Sequence, residues 1–229
     1  TLYGRNTSAG AIKLVTRKPA ETLRMTAELT AGDYGRKDAR FGVSGPFSDR
    51  FGAQLSLLSR QRDGYDRNLV DGSRVNDQDV MAGRVALQFR PTETIDAILA
   101  YDKVRERSTP GYATGLTLQP PGGLGAFNAS DQIDGDRDVH TLRSDLLNPI
   151  NDLDQQGASL TLTWKASSVT VKSISAWREM SNVLLLDADG QDTCFGLPLP
   201  CLHLFQDQMQ DQLSQELQLQ GTLLDNAIQ

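Results

Sequence analysis

Apolar and polar residues alternate with period two in one segment after another, and turn residues separate the segments. From Leu23 the apolar set Leu23, Met25, Ala27, Leu29 and Ala31 opposes Arg24, Thr26, Glu28 and Thr30. Ala39, Phe41 and Val43 oppose Arg40, Gly42 and Ser44, and the turn Gly45-Pro46-Phe47-Ser48-Asp49 follows. Phe51, Ala53, Leu55 and Leu57 oppose Gln54, Ser56, Arg60 and Arg62, with Leu58 the exception. Met81, Val85, Leu87 and Phe89 oppose Arg84, Gln88 and Arg90, and Ile95, Ala97, Leu99 and Tyr101 oppose Asp96 and Asp102. Ala158 to Trp164 repeats the pattern, Val169 to Met180 follows it less cleanly, and Leu213, Leu217 and Leu219 oppose Ser214, Glu216, Gln218 and Gln220. Leu213 and Leu217 also have helical i, i+4 spacing, but the even-numbered polar set fits a strand better. The prediction is an all-β chain of about eight strands.

Two properties of these segments predict an antiparallel membrane barrel. Most run to about 9 to 13 residues, near the length of a transmembrane strand, whereas ordinary strands average about 5 to 6. Connections alternate in length: tight at Pro46 to Arg50, Pro91 to Thr94 and Ala166 to Ser168, modest at Gly32 to Lys37, and long at Asp63 to Gln78, Ser108 to Leu153 and Ser181 to Gln210. Membrane barrels have short periplasmic turns and longer outer loops. If the tight turns are periplasmic, Phe51, Phe89 and Trp164 fall near one rim as part of an aromatic girdle. The competing interpretation makes them the core of a soluble sheet.

Composition removes other classes. Of 229 residues only 38% are hydrophobic, mean hydropathy is −0.39, and no apolar run suits a membrane-spanning helix. A net charge of −6, with no basic run longer than Arg17-Lys18, argues against nucleic acid as a partner. The start at Thr1 reads as an internal or processed position. Cys194 and Cys201 are close in sequence and in an oxidising compartment read as one small disulfide loop, against the competing interpretation of two unpaired thiols. His140 and His203 share no metal-ligand spacing and read as loop residues, so neither a metal site nor a cofactor is expected. No nucleophile and base share a catalytic spacing, which argues against an enzyme. The glycine run Pro120 to Gly125 lacks the strand and helix of a phosphate loop, and the sequon at Asn128-Ala129-Ser130 is weak.

The first nineteen residues, TLYGRNTSAGAIKLVTRKP, resemble the closing motif of the plug in TonB-dependent outer-membrane receptors, which typically reads close to TLYGRNTTGGAINIVTKKP. DQLSQELQLQG at Asp211 to Gly221 is similar to that family's QxSQELRL strand, with Gln218 where Arg is usual. The resemblance implies the end of a plug domain over 1–20 and the first part of the barrel over 21–229. The full barrel would have roughly 22 strands, so this chain supplies about a third of a wall and is not expected to transport alone. The resemblance further implies a Gram-negative outer membrane with its lipid, energised uptake of a bulky nutrient, foremost a ferric siderophore, and a TonB energy-coupling complex that grips a segment outside this chain. Candidate ligand contacts are Arg60, Arg62 and Arg84 on the lumen face and Tyr65 and Tyr112 in long loops; Arg90 shares the lumen face. The alternative function is a passive porin or an adhesive surface β protein.

Overall fold

The computed structural model describes residues 16–111, 140–188 and 202–221. Tyr112, Cys194, Cys201, the glycine run, the sequon and the plug motif up to Val15 lie outside the described residues. Eight strands form one antiparallel sheet in the order β1-β2-β3-β6-β7-β9-β10-β11. They are β1 (Arg24–Gly32), β2 (Arg36–Pro46), β3 (Phe51–Arg62), β6 (Gln78–Thr92), β7 (Ile95–Ser108), β9 (Ile150–Lys165), β10 (Val169–Asp187) and β11 (His203–Gly221). A second sheet, ordered β5-β4-β8, joins β4 (Asp66–Asn68), β5 (Arg74–Val75) and β8 (Thr141–Leu142). Each large strand pairs with the next large strand in sequence, so the wall is a meander, with β1 and β11 at its two edges.

Because side chains alternate across a strand, pairing in register sorts whole rows to one face. One row runs Met25, Val43, Leu55, Val85, Tyr101, Ala158, Trp177, Leu213 across the eight strands. The row next to it on the opposite face runs Thr26, Gly42, Ser56, Arg84, Asp102, Gly157, Arg178, Gln212. The apolar face is not covered. Leu29 is 84% exposed, Leu213 83% and Leu219 70%, and buried hydrophobic residues among those described are only Val75, Ala86, Ala100 and Leu142. A water-soluble fold does not leave so large a contiguous apolar surface open; a lipid-facing wall does.

Turns occur where the alternation breaks, but three differ from expectation. The connection at Gly32 to Lys37 is a tight hairpin, not a modest loop: Tyr34 (φ 56°) and Gly35 (φ 64°) are its central residues, and Arg36 N–H donates to Asp33 O at 3.2 Å. Tyrosine rarely takes positive φ, but Asp63 N–H holds its carbonyl at 2.8 Å. Second, the expected loop at Ser181 to Gln210 is shorter, because β10 continues to Asp187 and β11 begins at His203. Leu185↔Phe205 and Leu186↔Leu204 continue the ladder. Third, β9 begins at Ile150 rather than near Ala158, because its outer part carries polar residues on both faces and hides the alternation. The helical alternative for Gln206 to Gln220 is excluded, since that stretch lies within β11.

Candidate functional site

All long connections leave from one rim of the wall, and there the two loops joining β3 to β6 and β7 to β9 interlock. Asn68, fully buried, is the centre. Its Nδ2 donates to Ser144 O at 2.9 Å, while its Oδ1 accepts from Ser144 N and Val70 N, each at 3.1 Å. Val75, Leu142 and Leu146 pack beneath as a small apolar core. Asp71-Gly72 turns the β4–β5 hairpin with Gly72 at φ 77°. Asp71 accepts from Ser73 Oγ (2.7 Å) and Ser73 N (2.9 Å), and these bonds, the hydroxyl first, hold its carboxyl below the usual range.

Beside this platform stands a ring cluster. Tyr34 lies 6.1 Å from Tyr65, His140 meets Tyr65 edge-on at 5.4 Å, and Arg62 stands over the Tyr65 ring at 4.5 Å. Arg62, Tyr65 and His140 are held by polar partners. Arg62 Nη2 donates to Asn76 O at 2.6 Å, Asn76 Nδ2 donates to the Tyr65 phenol and to Asp66 Oδ2, and His140 Nδ1 lies 3.3 Å from Asp66 Oδ1. Asn76 adopts φ 64° to do this, and Gly111 clears it, since a Cβ there would stand 2.9 Å from Asn76 Nδ2. Asp77 accepts from the backbone and hydroxyl of Thr109, and His203 Nε2 lies 2.8 Å from Asp145 Oδ1. The result is a fixed rim offering aromatic faces and a guanidinium, groups that stack on and charge-pair with a flat anionic ligand.

The predicted site residues therefore divide. Arg62 and Tyr65 come together at this rim. Arg60 lies on the same polar face as Arg62, opposite Asp38 on β2 and Val80 on β6. Arg84 is farther from the rim, halfway down the polar face, where its Nη1 donates to Asp102 Oδ1 at 3.0 Å and Nη2 to Thr16 Oγ1 at 3.1 Å. Arg178 reaches the other Asp102 oxygen by crossing β9 at Gly157. A Cβ at Gly157 would stand 2.6 Å from Arg178 Cδ and 2.7 Å from Trp177 O. Near the other rim residues 16–21 lie against the polar face: Lys18 Nζ meets Asp96 Oδ2 at 3.0 Å, Ala20 N–H donates to Ser44 Oγ at 2.8 Å, and Arg90 stands 3.9 Å from Glu21. At that rim Phe51 stacks between Phe47 (5.6 Å) and Phe89 (4.5 Å), the expected aromatic edge, with Trp164 53% exposed.

Sequence reading missed Asn68, both histidines and Gly157. The Asp71-Gly72 pair between short polar runs is a hairpin signal that would have located Asn68. Nothing local marks His140 or His203, whose partners are distant in sequence.

The wall superposes on solved receptor structures over nearly its whole length. The closed form of the ferric-catecholate import receptor Fiu of E. coli matches 97% of this chain and 32% of its own, with TM-score 0.71 and 15% identity. The chain has the fold of a siderophore-receptor barrel wall. The siderophore receptor PiuA of Acinetobacter baumannii matches 91% of the chain and 28% of its own (TM-score 0.69, 11% identity), and the ferric yersiniabactin uptake receptor FyuA of Yersinia pestis matches 89% and 28% (0.62, 19%). In sequence, the ferrioxamine B receptor of Salmonella typhimurium is 39% identical over 64 residues, which are 27% of this chain and 9% of that protein. The chain thus spans about a third or less of the structures it matches and under a tenth of that curated relative. No protein-family model matches it. Each of these relatives is a receptor and none an enzyme, in keeping with the lack of a catalytic constellation in the sequence.

Proposed function

We propose that this chain forms part of the wall and outer connections of a TonB-dependent outer-membrane receptor that takes up a ferric siderophore. The carrying observation is the uncovered apolar face of an eight-stranded meander whose long connections all leave from one rim, superposing on siderophore-receptor barrels. In this reading 1–20 closes the plug and 21–229 begins the barrel, the polar face lines the lumen, and the strap 16–21 is the handover between them. Energy for uptake comes in this reading from the TonB coupling complex. The sequence resemblance and the receptor relatives favour this reading over a passive porin.

The rim holding Arg62, Tyr65, Tyr34 and His140 is the proposed place of ligand contact, with Tyr112 beside it in sequence. Arg60 and Arg84 would line the path inward. Cys194 and Cys201, in the connection between β10 and β11, are proposed as a disulfide pair. The test is uptake of iron-loaded hydroxamate, catecholate and phenolate siderophores by iron-starved cells carrying the complete receptor as their sole candidate. Uptake of one class, lost when the coupling protein is deleted, is expected. Uptake of none, or uptake indifferent to the coupling protein, refutes the reading. Tyr65→Ala is expected to weaken binding of the transported chelate about tenfold, the loss of one stacking anchor, without altering heat-modifiable mobility of the barrel.

A further inference from the structure

The apolar face is not uniform. A shallow groove of about 790 Å³ crosses it from β1 to β7, within the size range of lipid and small-molecule sites. Its floor lies where side chains are smallest, at Ala39 on β2 and Gly83 on β6. A Cβ at Gly83 would already touch Leu57 Cδ2 at 3.4 Å. Leu29, Phe41, Leu57 and Met81 form the walls, all exposed. At the β7 end the register sets Lys103 beside Gly83 and Arg105 beside Met81.

Those two cations are exposed and make no ion pair or hydrogen bond among the described residues. Their neighbour Arg107 is different: Asp152 and Asp154 hold it, and Asp154 is also the residue facing Arg105 across the β7–β9 pair. Their height matters too. On β1 the apolar series continues to Ala31, but on β7 it ends at Tyr101, which is in the register row of Met25. The apolar boundary steps down across the rows, as the tilt of barrel strands requires. Lys103 and Arg105 are therefore level with the headgroups of the leaflet on the side of the long connections, while the groove beside them is still at acyl depth.

We infer that this groove binds an anionic, phosphate-bearing lipid of that leaflet, its acyl chain over Gly83 and Ala39 and its phosphate between Lys103 and Arg105. The inference rests on the membrane reading proposed above. A guanidinium binds phosphate through two parallel hydrogen bonds and an ammonium adds a point charge. An uncharged lipid would leave both cations unpaired, and a second copy of the chain related by two-fold symmetry would bring four cations together.

The complete receptor, in uncharged detergent, is incubated with diphosphoryl lipid A or with its dephosphorylated form bearing the same acyl chains. Native mass spectrometry counts the lipid retained. Preference for the phosphorylated form on the order of tenfold is expected, from two cations at a charged lipid surface. Lys103→Gln with Arg105→Gln abolishes the preference, and Gly83→Leu, which fills the groove, lowers retention of both lipids. Equal retention of the two lipids by the native receptor, an unaltered preference in the double variant, or dimers in place of lipid adducts overturns the site. Loss of heat-modifiable mobility in the native receptor would refute the membrane reading and the lipid site with it, whereas the lipid results alone leave the barrel standing.

Discussion

Replacing Asn68 by alanine removes three side-chain hydrogen bonds at one point, to Ser144 O, Ser144 N and Val70 N. Each is worth about 1 kcal/mol net, and an orphaned buried group costs roughly 1–3 kcal/mol. Both backbone groups of Ser144 would be orphaned where the residue has 0% exposure. The local cost is thus about 3–5 kcal/mol, which raises transient opening of the platform by roughly two to four orders of magnitude. The wall should not feel it, since β4, β5 and β8 form a separate sheet and local openings follow such cooperative units. Amide hydrogen exchange on the complete receptor in micelles reads this directly. Exchange should rise in peptides over 66–75 and 141–146 and stay constant in β9 and β10. Unchanged exchange in the platform, or an equal rise everywhere, would refute the reasoning.

Further outcomes follow from other contacts. Gly157→Ala forces β9 off the Trp177 carbonyl and crowds Arg178; overpacking of this kind costs about 1–3 kcal/mol, read as a lower urea midpoint for the refolded receptor, and an unshifted midpoint contradicts it. Asp96→Ala releases both Lys18 Nζ and Gln88 Nε2. Tryptic cleavage after Arg17 should then quicken roughly threefold, a modest effect because Lys18 is largely exposed. Asp71 has a depressed pKa in the fold, so its stabilisation of the β4–β5 turn is complete above the unfolded carboxylate value and lost as pH falls through the lower folded value. Exchange at the Ser73 amide should rise across that acid window in the native receptor and show no such step in Asp71→Ala.

The wall was legible in the sequence because one physical demand, apolar outside and polar inside, acts on every second residue. Met25, Leu55, Val85 and Trp177 obey it and end up in one row. Where the demand lapses, legibility lapses. Asp152, Asp154, Gln155 and Gln156 at the outer part of β9 are polar on both faces and hide that part of the strand, and Ser181 to Asp187 lacks the alternation although backbone pairing continues through it. The site was less legible. Arg62 and Tyr65 came from chemistry and exposure, and the structure brings them together. Their supports, Asn76, Asp66 and His140, depend on contacts between distant segments, which no local pattern encodes. Nothing local marks Tyr34, whose positive φ is held by Asp63 N–H from another connection.

One feature of the rim bears on how such a receptor changes over generations. Thr109 is tied to Asp77 and His140 to Asp66, so two segments distant in sequence are fixed to the same short connection. Closing a loop between fixed ends costs little extra as it lengthens, about 0.6 kcal/mol for each doubling. The two junctions therefore stay in place whatever the length of chain that joins them. Change at the rim is thereby uncoupled from the wall, whose eight strands hold together by their own pairing.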